Sequence, residues 1–265
     1  MFQKFKTKVF NFAVRIIKTA LIEVELEKTK VTEVELEKIK IIEENKYSQE
    51  NLSKDLQNSE QEGENIKDWW ERAHIKQHKG WLTGSMGQEV WKNLEITDKL
   101  KVGANVLNIG VGMGHCTREL AKLGLNSLHA LDISRKALDS VKDIAVCWTP
   151  DKLSAMPSNF FDVAISNLVA QHMSDKDLIP QIREVCRALK PDGVFAIQMA
   201  QNIDNKHKID QSVKTQKTGG VLRTNKEITK IIKSAGGKII RQWEGPNFPE
   251  YNSRWTFVHI GKNIH

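Results

Sequence analysis

The stretch Val106-Leu-Asn-Ile-Gly-Val-Gly-Met-Gly114 decides the fold. Its apolar first half predicts a short buried strand, and residues Thr117 to Leu123 after it favour a helix. A glycine-rich turn between a strand and a helix is where an open parallel sheet binds nucleotides. Glycine allows positive φ angles and lets a ligand approach the backbone closely, so we expect Gly110, Gly112 and Gly114 to line such a site.

The second strand of this unit is predicted at Leu128-His-Ala-Leu-Asp-Ile133, about twenty residues after Gly112. Asp132 then stands at the end of the strand, where a carboxylate accepts hydrogen bonds from two ribose hydroxyls. The alternative is that Asp132 and Ser134 only begin the next helix. His115 stands where dinucleotide sites keep a small residue, so the pattern favours S-adenosylmethionine over a dinucleotide.

From about Trp69 to the C-terminus, the chain resembles the class I S-adenosylmethionine-dependent methyltransferases. The glycine turn and Leu131-Asp132 look like the first two motifs of the family. Phe160–Ser166 resembles its fourth strand, and Leu189-Lys-Pro-Asp-Gly-Val-Phe195 resembles the turn into its fifth. The resemblance implies an α/β fold: a seven-stranded, mostly parallel Rossmann-like sheet with helices on both faces, preceded by an N-terminal helical arm.

Two residues depart from the family pattern. Asn108 stands where the family usually has an acidic residue, so the usual carboxylate partner of the donor's ammonium group is missing. An amide oxygen can still accept a hydrogen bond there, without a charge. Asp192 replaces the first glycine of a pair, a milder change because Asp tolerates turn conformations.

The C-terminal part fits the same architecture. Thr224-Asn-Lys-Glu227 is a capping box that predicts a helix ending near Gly236-Gly237. Lys238 to Glu244 and Arg254 to Gly261 favour two strands, which the resemblance implies form an antiparallel final pair.

The resemblance also implies where S-adenosylmethionine and the chemistry lie. Methyl transfer is an in-line displacement that needs an aligned nucleophile and, for a hydroxyl, a base. His172, in the loop after the fourth strand, is the candidate general base; the alternative is that it only packs over the donor. The residues expected to contact the donor are Asn108, Gly110, Gly112, Gly114, His115, Asp132, Ile133, Ser134, Leu153, Asn167, Leu168, Val169, Trp81, Thr83 and Gly84.

An aromatic-rich segment precedes the first strand, where many relatives build a lid. Together with Gln198 it looks similar to bacterial methyltransferases of sugars or surface polysaccharides, which implies O-methylation of a carbohydrate hydroxyl. A different small molecule, RNA, or a non-catalytic scaffold role are the alternatives. The expected substrate-binding residues are Trp69, Trp70, Arg72, His74 and Gln198.

Two parts of the chain differ in composition. Residues 1–62 contain neither Gly nor Pro and favour helix, whereas residues 63–265 form the predicted methyltransferase domain. The first twenty-odd residues predict a basic amphipathic helix. Its apolar face is expected to pack on the body of the protein or on a second subunit, and the alternative is that it lies in an anionic membrane surface. A duplication beginning at Glu23 and Glu33 predicts a charged helical or coiled-coil arm that serves as a spacer or in homo-oligomerisation.

Bulk properties narrow the class of protein. The net charge of +7 hints at an anionic partner, but the chain has no recognisable RNA-binding module, so nucleic acid is disfavoured. Three scattered cysteines argue against a zinc site, and no metal is expected. No long apolar run or secretory signal is present. The sequence predicts a cytoplasmic protein, with the arm as a candidate for contact with the inner face of the membrane.

Overall fold

A computed structural model describes residues 65–76, 87–204 and 209–263. The predicted arm, residues 1–62, lies outside the described residues, as do Trp81, Thr83 and Gly84. The domain boundary near residue 62 and the coiled coil therefore stay predictions. Within the described ranges, no helix is both long and apolar enough to cross a membrane.

Seven strands form one sheet in the order β3-β2-β1-β4-β5-β7-β6. Neighbours among β1 to β5 run parallel, whereas β7 pairs antiparallel with both β5 and β6. This confirms the predicted fold class, including the antiparallel final pair. The strands are β1 Asn105–Ile109, β2 Ser127–Leu131, β3 Val146–Trp148, β4 Phe161–Ser166, β5 Leu189–Asn202, β6 Gly237–Phe248 and β7 Ser253–Lys262.

Helices alternate with the strands in the parallel half of the sheet, and short 3₁₀ turns follow β3 and β4. The 3₁₀ turn after β4, Ala170–His172, carries the candidate base. The described α-helices are α1 Ile66–Lys76, α2 Gly87–Asn93, α3 His115–Ala121, α4 Arg135–Asp139, α5 Asp175–Ala188, α6 Val213–Thr218 and α7 Asn225–Ser234.

Each face of the sheet buries its own apolar cluster, because successive side chains of a strand point to opposite sides. On β1, Val106 belongs to the cluster that contains Trp91 of α2. Its neighbour Leu107 belongs to the other cluster, which contains Ile182 of α5 and Ile231 of α7. Helices therefore cover both faces, and the carboxyl edge of the parallel strands is the edge at which ligands bind in such folds.

Three local predictions can be compared with the structure. The capping box is confirmed, since Thr224 and Glu227 bond reciprocally at the start of α7. Helix α3 begins at His115, two residues before the predicted start. The motif at Leu189–Phe195 lies within β5 rather than in a separate turn. The pairing of β5 with β4 is irregular at this motif, where the register shifts between Phe161 and Val163 of β4.

Candidate active site

The glycine turn after β1 adopts the left-handed backbone that its sequence predicts. Gly110, Gly112 and Gly114 have φ angles of 78°, 54° and 82°. A Cβ at Gly110 would overlap Val169 Cγ2, whereas a Cβ at Gly112 would meet nothing within 4 Å. The first glycine is thus required by packing against the loop after β4, and the second leaves open space beside the backbone.

Asp132 lies buried against this turn. One carboxylate oxygen accepts hydrogen bonds from the N–H groups of Val111 at 2.7 Å and Gly112 at 3.3 Å, and the other accepts from Ser134 N–H at 2.9 Å. Burial raises the pKa of Asp132, while nearby His74 and these N–H groups act in the opposite direction. Since two carboxylate oxygens offer about four acceptor positions, three bonds leave capacity for a ligand hydroxyl.

Asn108 has a structural partner in the place where the family has an acidic residue. Its amide nitrogen donates to Thr117 Oγ at 2.9 Å, joining β1 to α3 inside the core. His115, the first residue of α3, is exposed. Leu153 is buried in the core beside Met156, and Ile133 is half-buried after β2.

The loop after β4 contains a strained residue, Leu168, and is supported by a hydrogen bond to β5. Leu168 has a φ of 59°, which is uncommon for a residue other than glycine and is found mostly where surrounding contacts enforce it. Its N–H donates at 3.0 Å to Oε1 of Gln198, which is buried on β5. Gln198 therefore supports the loop that contains Asn167 and Val169, and its proposed contact with substrate stays a prediction.

His172 is held in one tautomer. Its Nδ1 lies 2.7 Å from the carbonyl oxygen of Gln216, so Nδ1 carries the proton and Nε2 bears a lone pair. Burial lowers the pKa of His172 to about 4, although the bond to Gln216 opposes the shift. The ring is therefore neutral at physiological pH, and its centroid lies 4.9 Å from that of the Trp70 ring in a T-shaped contact.

Helix α1 lies over the carboxyl edge of the sheet. Its Glu71 accepts hydrogen bonds from Ser134 Oγ at 2.7 Å and from Lys136 N–H at 3.2 Å, at the start of α4. Those bonds lower the pKa of Glu71 more than its slight burial raises it. Trp70 and His74 lie on the same side of α1, and His74 Nδ1 donates to the Trp70 carbonyl at 2.8 Å.

The structure thus separates the four aromatic-segment residues predicted to bind substrate. Trp70 contacts His172 on the turn after β4, whereas burial raises and the charge of His74 lowers the pKa of Asp132 beside the glycine turn. Trp69 is buried and packs edge-on against Trp70, and Arg72 is half-buried. Binding of substrate by these four residues stays a prediction.

Arg223 is a site residue that sequence reasoning missed. Its fully buried guanidinium donates to Asp175 at 2.9 Å, to the Ala170 carbonyl at 3.0 Å and to the Met173 carbonyl at 2.7 Å. Burial lowers its pKa, and the Asp175 carboxylate raises it. Arg223 fixes the turn that carries His172 from a point about fifty residues along the chain, and no local pattern indicates such a contact.

The residues present fit an adenosine-bearing methyl donor. The turn at Gly112 leaves space for a ligand beside the backbone, and Asp132 keeps acceptor capacity next to it. Ser166, the last residue of β4, has a fully buried hydroxyl with no hydrogen-bond partner among the described residues. An unpaired buried hydroxyl at a ligand-binding edge is the kind of group that a bound molecule satisfies.

Comparison with known proteins agrees with this geometry. Residues 107–197 match the family model of a methyltransferase domain. A curated relative, N-terminal Xaa-Pro-Lys N-methyltransferase 1-A of Xenopus laevis, is 24% identical over 157 residues, which cover 56% of this chain and 67% of that protein.

Solved structures share the fold at low sequence identity. A 1,6-didemethyltoxoflavin-N1-methyltransferase of Burkholderia thailandensis, solved with S-adenosylhomocysteine, has a TM-score of 0.57 and 14% identity and covers 75% of this chain and 88% of its own. A SAM-dependent methyltransferase of Leishmania major has a TM-score of 0.54 and 14% identity, with coverage of 74% and 81%.

The strand order and the glycine turn define a Rossmann-like domain of the class I methyltransferase type. With the family match, they identify an S-adenosylmethionine-dependent methyltransferase domain in this chain. None of these comparisons supports specificity for a sugar or polysaccharide.

Proposed function

We propose that this chain methylates a nitrogen nucleophile of an acceptor bound between α1 and the turn Ala170–His172. The observation that carries the proposal is the fixed neutral state of His172, whose pKa is about 4. A base that removes a proton during reaction works best when its pKa is near the operating pH. The pKa of His172 lies far below physiological pH, so this ring is a weak base. Its role in the proposal is to accept a hydrogen bond and orient the acceptor.

This role separates nitrogen from oxygen nucleophiles. A neutral amine carries a lone pair and attacks without losing a proton first, whereas an alkyl hydroxyl needs a base to increase its nucleophilicity. The name of the curated relative also specifies N-methylation. The glycan hydroxyl predicted from the sequence would need a stronger base than the neutral His172 ring.

The donor binds at the other end of the site in this proposal. Gly112 would face its methionine end and the free acceptor position of Asp132 one of its ribose hydroxyls. When bound, the donor supplies an electrophilic methyl group on a sulfonium. Trp70 of α1 would help to exclude water from the site, and His172 Nε2 would accept a hydrogen bond from the nucleophile.

Product analysis tests the proposal. The full chain would be incubated with methyl-labelled S-adenosylmethionine and, in parallel, with a mixture of primary amines and a mixture of sugars. We expect label on nitrogen, and a rate that rises with pH toward the pKa of the amine without a histidine inflection between about 6 and 7. Label on sugar oxygen alone, or a rate governed by such an inflection, would contradict the proposal.

A matched pair of variants ties the activity to His172. In His172→Ala the acceptor atom Nε2 is lost, and we expect kcat/KM to fall by about 10- to 100-fold. His129→Ala is the control, because His129 is also buried but lies in the middle of β2, where it bonds to Ser127 of the same strand and Trp148 of β3. Its variant should lose stability rather than turnover per folded molecule.

A further inference from the structure

Gln171, next to His172, carries a buried polar atom that the protein leaves unpaired. Its side chain is only 4% exposed, and its Oε1 has no hydrogen-bond partner among the described residues. Most buried polar groups are hydrogen-bonded, and leaving one unpaired costs free energy. An unpaired amide oxygen on the turn after β4 therefore calls for a ligand.

The side chains of Gln171 and His172 both approach Gly219. A Cβ added to Gly219 would lie 3.2 Å from Gln171 Cγ, 2.8 Å from His172 Cε1 and 3.1 Å from His172 Nε2. Gly219 has a φ of 72° and closes the end of α6. Two hydrogen-bond acceptors, the Nε2 lone pair and the Gln171 Oε1 atom, thus belong to neighbouring side chains, and no described residue donates to either.

We propose that Gln171 is a specificity-determining residue for the methyl acceptor, and that its Oε1 and His172 Nε2 together accept two N–H bonds from an amine. This inference rests on the proposed function. A primary amine as its free base has two N–H donors and one lone pair. A hydroxyl has one donor only, so it would leave one of the two acceptors unpaired.

The paired acceptors also account for the direction of attack. With both N–H bonds held, the remaining lone pair of the amine is free to point at the methyl carbon. That lone pair forms the new N–C bond while the C–S bond breaks and its electron pair stays on sulfur. The positive charge passes from the sulfonium to the methylated nitrogen, which then releases one proton to solvent.

Binding of two donor analogues tests this inference. S-adenosylhomocysteine lacks the methyl group, whereas sinefungin places an amine-bearing carbon where the sulfur and methyl would be. Calorimetry on the full chain measures the ratio of their dissociation constants. We expect the wild-type protein to prefer sinefungin, because its amine reaches toward Gln171 and His172.

Variants at Gln171 should change this ratio in opposite directions. Gln171→Met removes the hydrogen-bond acceptor atom but has a side chain of similar volume. It should weaken the binding of sinefungin by about tenfold or more and change the dissociation constant of S-adenosylhomocysteine by less than about twofold. Gln171→Glu adds a negative charge and should strengthen sinefungin. The matched control is Gln181→Met in α5, since Gln181 is also buried with an unpaired amide atom but is ten residues away on a helix.

The outcomes distinguish the two proposals. If the wild-type chain binds neither analogue, the proposed function fails. If it binds both but the ratio is the same in both Gln171 variants and in Gln181→Met, then Gln171 does not face the acceptor and this inference is overturned, while the proposed function stands. Should Gln171→Met fail to fold, the Gln171→Glu ratio alone decides the matter, because a rise supports the inference and no change contradicts it.

Discussion

The two halves of the active site are built in different ways. The proposed donor half consists of Gly110–Gly114 and Asp132, and its key contacts join the ends of adjacent parallel strands. The proposed acceptor half consists of Trp70 and the turn Ala170–His172, and it is held by α6 and Arg223 from distant parts of the chain. The donor half thus depends on local backbone geometry, and the acceptor half depends on tertiary contacts.

The largest effect should come from removing the support of the acceptor half. Arg223→Leu leaves Asp175 and two turn carbonyls without their buried partner, and breaking such a pair costs about 3–5 kcal/mol. Urea unfolding would measure the loss. The control Arg241→Leu removes an exposed pair with Glu95 and should cost less than about 1 kcal/mol.

The folded fraction of Arg223→Leu also tests the contrast between the donor and acceptor halves. If this variant lost S-adenosylhomocysteine binding as completely as it lost turnover, the two halves would not be supported separately. We expect turnover to fall and donor affinity to be largely retained, because Asp132 and the glycine turn do not contact Arg223.

The next effect concerns the donor half. Asp132→Ala removes a carboxylate that accepts three backbone N–H bonds beside the glycine turn, and we expect donor affinity to fall by about 100-fold. Calorimetry with S-adenosylhomocysteine measures it. Asp139 is the last residue of α4 and is exposed, so Asp139→Ala is the control and should leave the affinity unchanged. Equal affinities in the two variants would remove Asp132 from the site.

This difference also explains what the sequence could predict. The sheet, the glycine turn, Asp132 near it and the capping box at Thr224 all follow from patterns within about thirty residues. Arg223 and Glu71 bond to partners far along the chain, and Gln171 is distinguished by an Oε1 atom that has no partner among the described residues. No periodicity in the sequence indicates these properties. The low pKa of His172 likewise depends on burial by separate elements.

A smaller effect concerns pH. Because burial holds the pKa of folded His172 at about 4, below the unfolded value near 6.5, only the unfolded chain binds this proton between those values. The free energy of unfolding should therefore fall by about 2.5 kcal/mol as the pH is lowered through that window. Urea unfolding at several pH values would show it. His172→Gln should flatten this part of the profile, and an equal slope in both proteins would contradict the assigned burial.

The smallest effect tests the link between the two halves. Glu71 belongs to α1, which covers the acceptor in the proposed function, yet it bonds to Ser134 and Lys136 at the start of α4, shortly after Asp132. Because this contact is partly exposed and does not touch the glycine turn, Glu71→Ala should weaken S-adenosylhomocysteine binding by only about three- to fivefold. Asp68→Ala, on the same helix but bonded locally to Asn65, should have no effect on that binding. If the two variants behave alike, α1 covers the acceptor without responding to the donor, and the halves are independent.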